Sequence, residues 1–316
     1  MKNLRKLWAI PEAGIFVPLI VLTLVFFCIN QSFLEANSVA AMLRAMTFVG
    51  IIAVGQTWLM IAGGIDLSVG SVAGLCAIVS SWLMKAQGWP VEAGILVGIA
   101  VGLMAGLING LLVVRLGIPA FIATLGMLYV ARGLNYLLCQ GYPIYPIPDQ
   151  LKNFGRAEPF GLSWAFLVFV LLVFIGDFAL RRTVYGRMVY ATGGNVEVAR
   201  IAGINTFWVQ ISCYMLTGAT AAIAGILLMS QLSVGQPEIG VGWELDVIAA
   251  VVIGGTSLFG GVGTVTGTFL GLLIMQVVRS GLVVTGVSTH WQTVAVGVIM
   301  ITAVGVDLLR RKTKIS

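Results

Sequence analysis

Long apolar runs, separated by short polar connections, make up most of the 316-residue chain. A helix needs about 20 apolar residues to cross the hydrocarbon core of a membrane, and the chain has room for about ten such runs. The pattern therefore predicts an all-α polytopic membrane protein, with residues 1–316 forming a single transmembrane domain. The expected spans are 13–31, 42–62, 68–84, 93–114, 119–138, 163–180, 208–230, 243–258, 264–286 and 291–309.

The second and eighth spans end in the pairs Gly63-Gly64 and Gly254-Gly255, and glycine is also frequent in the residues that follow. Glycine tolerates backbone conformations that end a helix. Irregular backbone occurs at membrane depth where it is buried in protein or lines a cavity. Broken helices or re-entrant segments are therefore expected near both pairs. The segments GGIDLSVG and GGTSLFGG also resemble each other, which would relate the second span to the eighth by a parallel repeat. The glycine rows of the fourth and ninth spans would instead fit two inverted halves. The presence of an internal repeat therefore stays open.

Composition supports the membrane assignment. Hydrophobic residues make up 59% of the chain and charged residues 9%, whereas a soluble domain carries about 25% charged residues. This excludes a soluble enzyme, a nucleic-acid-binding domain and a disordered protein. If the number of spans is even, the main basic clusters and both chain termini lie on the same side of the membrane. The positive-inside rule identifies that side as cytoplasmic. The clusters are Lys2/Arg5/Lys6, Arg115, Arg181/Arg182/Arg187/Arg200 and Arg310/Arg311/Lys312/Lys314.

Glycines in the fourth span recur at every fourth residue, so that they lie on one helix face. Small residues at this spacing allow another helix to approach closely, which is the main packing device in lipid. The row either packs a neighbouring helix tightly or forms a sliding interface between moving helices. Its members are Gly94, Gly98, Gly102, Gly106 and Gly110.

The sequence contains no catalytic or metal-binding motif. His290 is the single histidine, which excludes His-based triads, and the four cysteines lack metal-type spacing. A P-loop is also missing, so the chain is not expected to be an enzyme or to hydrolyse ATP. Transport would draw its energy from an ion gradient or from another subunit.

Charged residues inside the spans are few. Asp66 follows a Gly-Gly pair and precedes Ser68, so it either caps the next helix or takes part in a gate or pathway. Arg279 lies within the ninth span. Its side chain either extends to the interface, pairs with a carboxylate or contributes to the permeation path. Because no span has a carboxylate at its centre, the sequence disfavours proton or sodium coupling.

Uncharged polar residues in the spans are candidates for the substrate pathway. Their side chains could hydrogen-bond a hydroxylated solute, or they could join neighbouring helices. Such residue types favour a neutral polar substrate over an ionic one. Together with Asp66, the candidates are Gln56, Asn109, Thr124, Asn135 and Gln276.

The long inner loop, residues 181–207, is the strongest functional feature of the sequence. Asn195 can cap a short helix that begins at residue 196, and Glu197 in the first turn suits the helix dipole. The helix is apolar for an exposed segment, and Gly203 ends it. Such a helix either binds a groove in a partner or lies on its own bundle.

Glu197-x-Ala199-x3-Gly203 resembles the E-A-A-x3-G loop of ABC-importer permeases, with Val198 in place of the middle alanine. Longer segments resemble the ribose-type, or monosaccharide, branch of these permeases, and the likeness covers nearly the whole chain. These segments are GGIDLSVGS (63–71), GLINGLLVVRLGIPAFIATLGML (106–128), ATGGNVEVARIAGIN (191–205) and the GG-x-S-L-F-GG-x-G run (254–263).

The resemblance implies a role that composition alone does not. Two such permeases, identical or paralogous, would form the pathway in the bacterial inner membrane, and a periplasmic or lipid-anchored binding protein would deliver the sugar. Two cytoplasmic ABC ATPase subunits would receive the 196–204 helix and bind ATP, so no cofactor is expected in this chain. The coupling residues that the resemblance implies are Gly193, Gly194, Asn195, Glu197, Ala199, Gly203, Ile204 and Asn205.

The resemblance thus implies ATP-driven import of a neutral monosaccharide or a related small polyol. Branched-chain amino-acid permeases are distant relatives of the ribose-type branch. A substrate with charged ends would require fixed charges along the pathway. Because such charges are scarce in the spans, the sequence favours sugars. The alternative is a gradient-driven secondary carrier or facilitator for a small polar solute, which would need no partner ATPase.

Overall fold

A computed structural model describes residues 13–288, 290–299, 301–302 and 305. This part of the chain is helical, and its only β-pairing is an isolated bridge between Ile144 and Gly235. A π-helical turn, Leu111–Arg115, continues the fourth helix. The named helices are α1 (Ala13–Ile29), α2 (Ala36–Ile61), α3 (Val69–Ala86), α4 (Val91–Gly110), α5 (Ala120–Cys139), α6 (Asp149–Arg156), α7 (Trp164–Arg182), α8 (Val184–Gly194), α9 (Val196–Ile201), α10 (Thr206–Leu232), α11 (Trp243–Ile253) and α12 (Val265–Val284).

Within the described residues, 7 helices are long and apolar enough to cross a membrane: α2, α3, α4 with its π-helical extension, α5, α7, α10 and α12. α1 is apolar but shorter. The all-α polytopic architecture is confirmed. Of the expected tenth span, residues 291–299, 301–302 and 305 are helical. Its other positions, and the basic clusters at the two chain termini, lie outside the described residues.

The expected irregularity at the Gly-Gly pairs is found after α11. This helix ends at Ile253 after 11 residues, about half of what a span requires, and does not continue to residue 258. An irregular loop, residues 254–264, then leads into α12. α2 is instead an unbroken helix of 26 residues, because its glycine pair lies beyond the helix end. Gly63 has φ of +85°, a conformation that favours glycine, and turns the chain towards α3.

α2, α3 and α10 form the centre of the bundle. α10 packs against α2, α3 and α4, while α3 also packs against α4 and α5. Nearly every residue of α3 is buried. α5 and α7 carry large exposed apolar side chains, such as Leu137 and Phe174, which suit contact with lipid. Polar side chains of the central helices are therefore shielded from lipid by the outer helices.

α4 turns its glycine row towards α3 and α10. Gly94 lies against Met84 of α3, Gly98 lies between α3 and α10, and the last three members of the row lie against α10. A Cβ atom on Gly106 would lie 2.8 Å from the Cα of Met215, and one on Gly102 would lie 2.8 Å from the Cβ of Ala222. Such distances are too short for a real side chain, so the absence of a Cβ allows the two backbones to approach.

Candidate coupling helix and translocation residues

The inner loop folds into α8 and α9, joined by Asn195. The Asn195 side chain accepts a hydrogen bond from the backbone N–H of Val198 at 3.0 Å and caps α9, as the sequence predicts. Glu197 occupies the first turn. After α9, Gly203 adopts φ of +83°, and Asn205 caps α10 by accepting from the N–H of Trp208 at 3.3 Å. Local capping chemistry therefore sets both ends of this connection.

α9 has one face on the bundle and one face directed away from it. Ala199 is 3% exposed, whereas Val198 is 61% and Ile201 is 85% exposed. Ile204, just beyond the helix, packs against a buried cluster formed by α2, α7, α8, α10 and α12. The helix therefore rests on the bundle through small contacts and leaves its larger apolar side chains uncovered by this chain.

α8 attaches α9 firmly to the rest of the fold. The ring of Tyr185 stacks on Trp58 of α2 with centroids 5.9 Å apart, and its hydroxyl contacts that of Ser212 on α10. Burial raises the pKa of Tyr185 to about 12, so this hydroxyl keeps its proton at neutral pH. Tyr190 donates to the backbone carbonyl of Gly263 at 2.6 Å. α8 thus contacts three separate parts of the bundle.

Asp66 and Asn109, two of the candidate pathway residues, lie together at the end of the bundle that carries α8 and α9. Asp66 is 2% exposed. Its carboxylate accepts from the backbone N–H of Ser68 at 2.7 Å, from the Ser68 hydroxyl at 2.6 Å and from the Asn109 side-chain amide at 3.1 Å. Burial raises the pKa of Asp66, while these hydrogen bonds oppose the rise. Asp66 therefore holds the α2–α3 turn together and joins it to α4.

Asn135 belongs to a second polar group beside the first two turns of α3, where a Cβ on Gly74 would lie 3.1 Å from its amide nitrogen. Its amide donates to the carbonyl of Pro237 at 2.9 Å. Arg132 donates to the same carbonyl at 3.0 Å and to that of Ile239 at 3.2 Å. These bonds hold the loop between α10 and α11 against α5, while the packing of Gly70 on Gly240 holds it against α3. The loop is therefore fastened to the outer helix α5 and to the central helix α3.

Arg132 and Glu244 also belong to this group, although neither is among the predicted pathway residues. A Cβ on Gly70 would lie 2.7 Å from a carboxylate oxygen of Glu244, and that oxygen has no hydrogen-bond partner. The one sequence feature that could have indicated a role for Arg132 is its position within an apolar run. Its partners are backbone carbonyls about a hundred residues later in the chain, which the sequence pattern does not identify.

The remaining pathway candidates are not brought into either group. Gln56 is fully buried in α2, and neither atom of its amide has a partner. The hydroxyl of Thr124 donates to its own helix, at the carbonyl of Ala120, at 2.8 Å. The amide of Gln276 donates to Ser280 at 2.9 Å. The six candidates therefore do not form one binding site in this structure, and their contact with substrate stays a prediction.

Ion pairs account for the charged residues near the helix ends. Arg279 of α12 pairs with Asp246 of α11 at 2.5 Å. Of the three alternatives that the sequence left open for Arg279, the structure therefore shows the pairing with a carboxylate. Asp177 pairs with Arg181 at 2.9 Å and also accepts from the backbone N–H of Thr266 at 3.0 Å. In the described part of the chain, no three His, Cys, Asp or Glu side chains are grouped as a metal site would require.

A crevice of about 400 Å³ lies between α4, α6 and α10. Its walls are mainly apolar side chains, with Glu92 and Gln150 among the few polar ones. A hydroxylated solute needs several hydrogen-bonding partners when it leaves water. The crevice is therefore poorly suited to a sugar, and the polar groups described above remain the better candidates.

Comparisons with known proteins identify the family. The model described as branched-chain amino acid transport system / permease component matches residues 38–304. The ribose import permease protein RbsC of Bacillus subtilis (strain 168) is 38% identical over 298 residues, or 94% of this chain and 92% of the relative. The autoinducer 2 import system permease protein LsrC of Photorhabdus luminescens is 36% identical over 273 residues, or 86% of this chain and 82% of the relative.

The L-arabinose ABC transporter permease protein AraH of Azospirillum brasilense is 34% identical over 305 residues, or 96% of this chain and 90% of the relative. No solved structure gives a significant match. The relatives and the seven apolar helices confirm a multi-pass protein of the bacterial inner membrane. Because the family model and these relatives cover most of the sequence, the chain belongs to this family of transport permeases, in its ribose-type branch.

Proposed function

We propose that this chain is the transmembrane subunit of an ATP-driven, binding-protein-dependent importer of a neutral monosaccharide or a related small polyol. The observation that carries the proposal is the geometry of α9. This short helix is capped by Asn195, rests on the bundle through Ala199 and directs Val198 and Ile201 away from it. It lies at the end of the bundle predicted to be cytoplasmic, beside Arg181 and the other basic residues of the inner loop.

The exposed face of α9 has the composition of a docking element. Fully burying an aliphatic side chain such as those of Val198 and Ile201 contributes about 1.5–3 kcal/mol. Glu197 and Arg200 are exposed on the same short helix and would form a polar rim around this apolar centre. A cleft in an ATPase subunit would therefore gain both apolar burial and charge pairing from this helix.

Separate ATPase subunits supply the energy in this proposal. The sequence has no P-loop, so ATP would bind to the partner and this chain would need no cofactor of its own. A pair of ATPase subunits requires a pair of docking helices. The permease would therefore act as a homodimer or as a heterodimer with a paralogue.

A neutral, hydroxylated cargo fits the polar atoms that the bundle leaves available. The amide of Gln56 and the Oδ1 atoms of Asn109 and Asn135 are buried without partners, and each could bond a passing hydroxyl group. Thr124 and Gln276 would add weaker, locally bonded contacts, and Asp66 would shape the inner end of the pathway. Relatives named for ribose and L-arabinose import support a monosaccharide.

The outer loops would receive the periplasmic or lipid-anchored binding protein. Ile144 bridges Gly235, so the loop after α5 and the loop after α10 are joined. The second of these is also fastened by Arg132 and Asn135. A protein that docks on this joined surface would contact the loop that Arg132 and Asn135 hold in place.

The test is substrate-stimulated ATP hydrolysis by the purified permease with its ATPase subunits and binding protein. We expect stimulation by one or more pentoses, hexoses or small polyols, and none by leucine. The Ile201→Asp variant should lose both ATPase binding and stimulation, while the Ile201→Leu variant, which keeps an apolar side chain at the same position, should retain both. Stimulation by leucine alone would contradict the substrate class. Full stimulation of the Ile201→Asp complex would contradict docking through α9.

A further inference from the structure

Three backbone segments meet without intervening side chains directly before α9. They are the end of α2 at Ile61, the end of α8 at Gly193 and the loop between α11 and α12 at Gly261. The N–H of Gly261 donates to the carbonyl of Ile61 at 2.9 Å. A Cβ on Gly193 would overlap that carbonyl oxygen and would lie 2.8 Å from the nitrogen of Gly261. We call this contact the glycine junction.

The junction is tight on all three sides. A Cβ on Gly260 would lie 2.6 Å from the carbonyl oxygen of Gly193, and one on Gly261 would lie 2.8 Å from the Cα of Gly194. Side chains can change rotamer when neighbours move, but backbone in direct contact cannot yield in this way. Packed elements of this kind pass a displacement on to their neighbours.

Independent hydrogen bonds fasten the same elements. Tyr190 of α8 donates to the carbonyl of Gly263, and Asp177 of α7 accepts from the N–H of Thr266. On the other side, the amide of Gln210 donates to the carbonyl of Ala62 at 3.3 Å. The junction is therefore part of a fixed arrangement of α7, α8, α10 and the two glycine-rich turns.

We propose that Gly193 is the positioning residue through which a displacement of α9 reaches the transmembrane bundle. Asn195, the cap of α9, follows two residues later, so a shift of α9 moves Gly193 directly. From there one branch leads through Ile61 to the α2–α3 turn and Asp66. The other leads through Gly261 to α11 and α12. This inference rests on the proposed coupling of α9 to an ATPase.

The test compares Gly193→Ala with Gly126→Ala in the complete complex of permease, ATPase subunits and binding protein. A Cβ on Gly126 would meet no atom within 4 Å, which makes it the matched control. We expect Gly193→Ala to lose stimulation of ATP hydrolysis by sugar-loaded binding protein and to reduce sugar uptake at least tenfold. Gly126→Ala should remain within about twofold of the unmodified protein. These magnitudes are of the order seen for allosteric couplings.

Normal stimulation and uptake by the Gly193→Ala variant would overturn the inference. If that variant does not fold, Tyr190→Phe replaces it, since it removes the bond to Gly263 without adding an atom to the junction. Its stimulation should fall severalfold, and unchanged stimulation would also overturn the inference. Failure of the unmodified permease to bind any ATPase would instead contradict the proposed function, so the two failures are distinguishable.

Discussion

Asn109 donates a side-chain hydrogen bond to the carboxylate of Asp66 across 3.1 Å and 43 positions of sequence. The bond links the last turn of α4 to the turn between α2 and α3. The same amide also donates to the Ser68 hydroxyl at 3.0 Å. The three side chains form a buried network at the inner end of the bundle, a few residues from the glycine junction.

Removing the acceptor in this network should destabilise the protein. Asp66→Ala leaves the N–H of Ser68 and the amide of Asn109 buried without this acceptor, at a cost of about 1–3 kcal/mol for each unsatisfied group. Asp66→Asn is the matched control, because the Asn109 amide can rotate and accept through its unpartnered Oδ1. Thermal unfolding in detergent should show a lower midpoint for the alanine variant only. Loss of uptake by a stable Asp66→Asn protein would show that the carboxylate itself is required.

Releasing the outer loop should expose its backbone. Arg132→Met removes the bonds to the carbonyls of Pro237 and Ile239 while keeping much of the apolar side chain. We expect faster amide hydrogen exchange in residues 234–242, since local opening becomes easier. Arg44→Met is the control, because it breaks an ion pair to Glu158 that is exposed and contributes little. Equal exchange in the two variants would contradict the role of Arg132.

A charge beside α9 should block docking without preventing insertion. Gly203→Asp places a carboxylate at the end of the helix, where the helix dipole also disfavours it. Gly203→Asn has nearly the same size and tolerates the positive φ about as well, so it isolates the charge. We expect Gly203→Asp to abolish uptake and Gly203→Asn to keep most of it, while both variants are inserted in the membrane. Equal loss in both variants would point to the backbone conformation instead.

The spacing of α4 and α10 should be sensitive to side-chain volume. Gly102→Val places atoms within the backbone of Gly218 and against Ala222, which forces the helices apart. Gly126→Val adds the same side chain where no atom lies within 4 Å. We expect the first variant to unfold at lower temperature and the second to be close to the unmodified protein. Similar stability of the two would contradict the packing role of the row.

Features set by neighbouring residues were predictable from the sequence. The cap of α9 depends on Asn195 and the residues just after it, and most spans depend on continuous apolar runs. The end of α11 at Ile253 differs from the expected end of the eighth span at residue 258, because the Gly254-Gly255 pair ends the helix. Local chemistry thus predicts the short helix of the inner loop and the membrane architecture.

Features set by tertiary contact were not predictable in the same way. The partner of Arg279 was open among several alternatives until the α11–α12 pairing brought Asp246 beside it. The glycine junction joins Ile61, Gly193 and Gly261, which are far apart in sequence, and glycine carries no side-chain chemistry that would reveal its neighbours. The pattern of a single sequence does not indicate which of its many glycines contact one another in the folded protein.

The dependence of uptake on ATP in proteoliposomes is the most direct test that this chain is the subunit of an ATP-driven importer. The permease is reconstituted with and without its ATPase subunits, with sugar-loaded binding protein outside and ATP or no nucleotide inside. Labelled sugar should accumulate only when the ATPase and ATP are both present. Equal uptake by the permease alone, with no nucleotide, would contradict ATP-driven import and identify a gradient-driven carrier or facilitator.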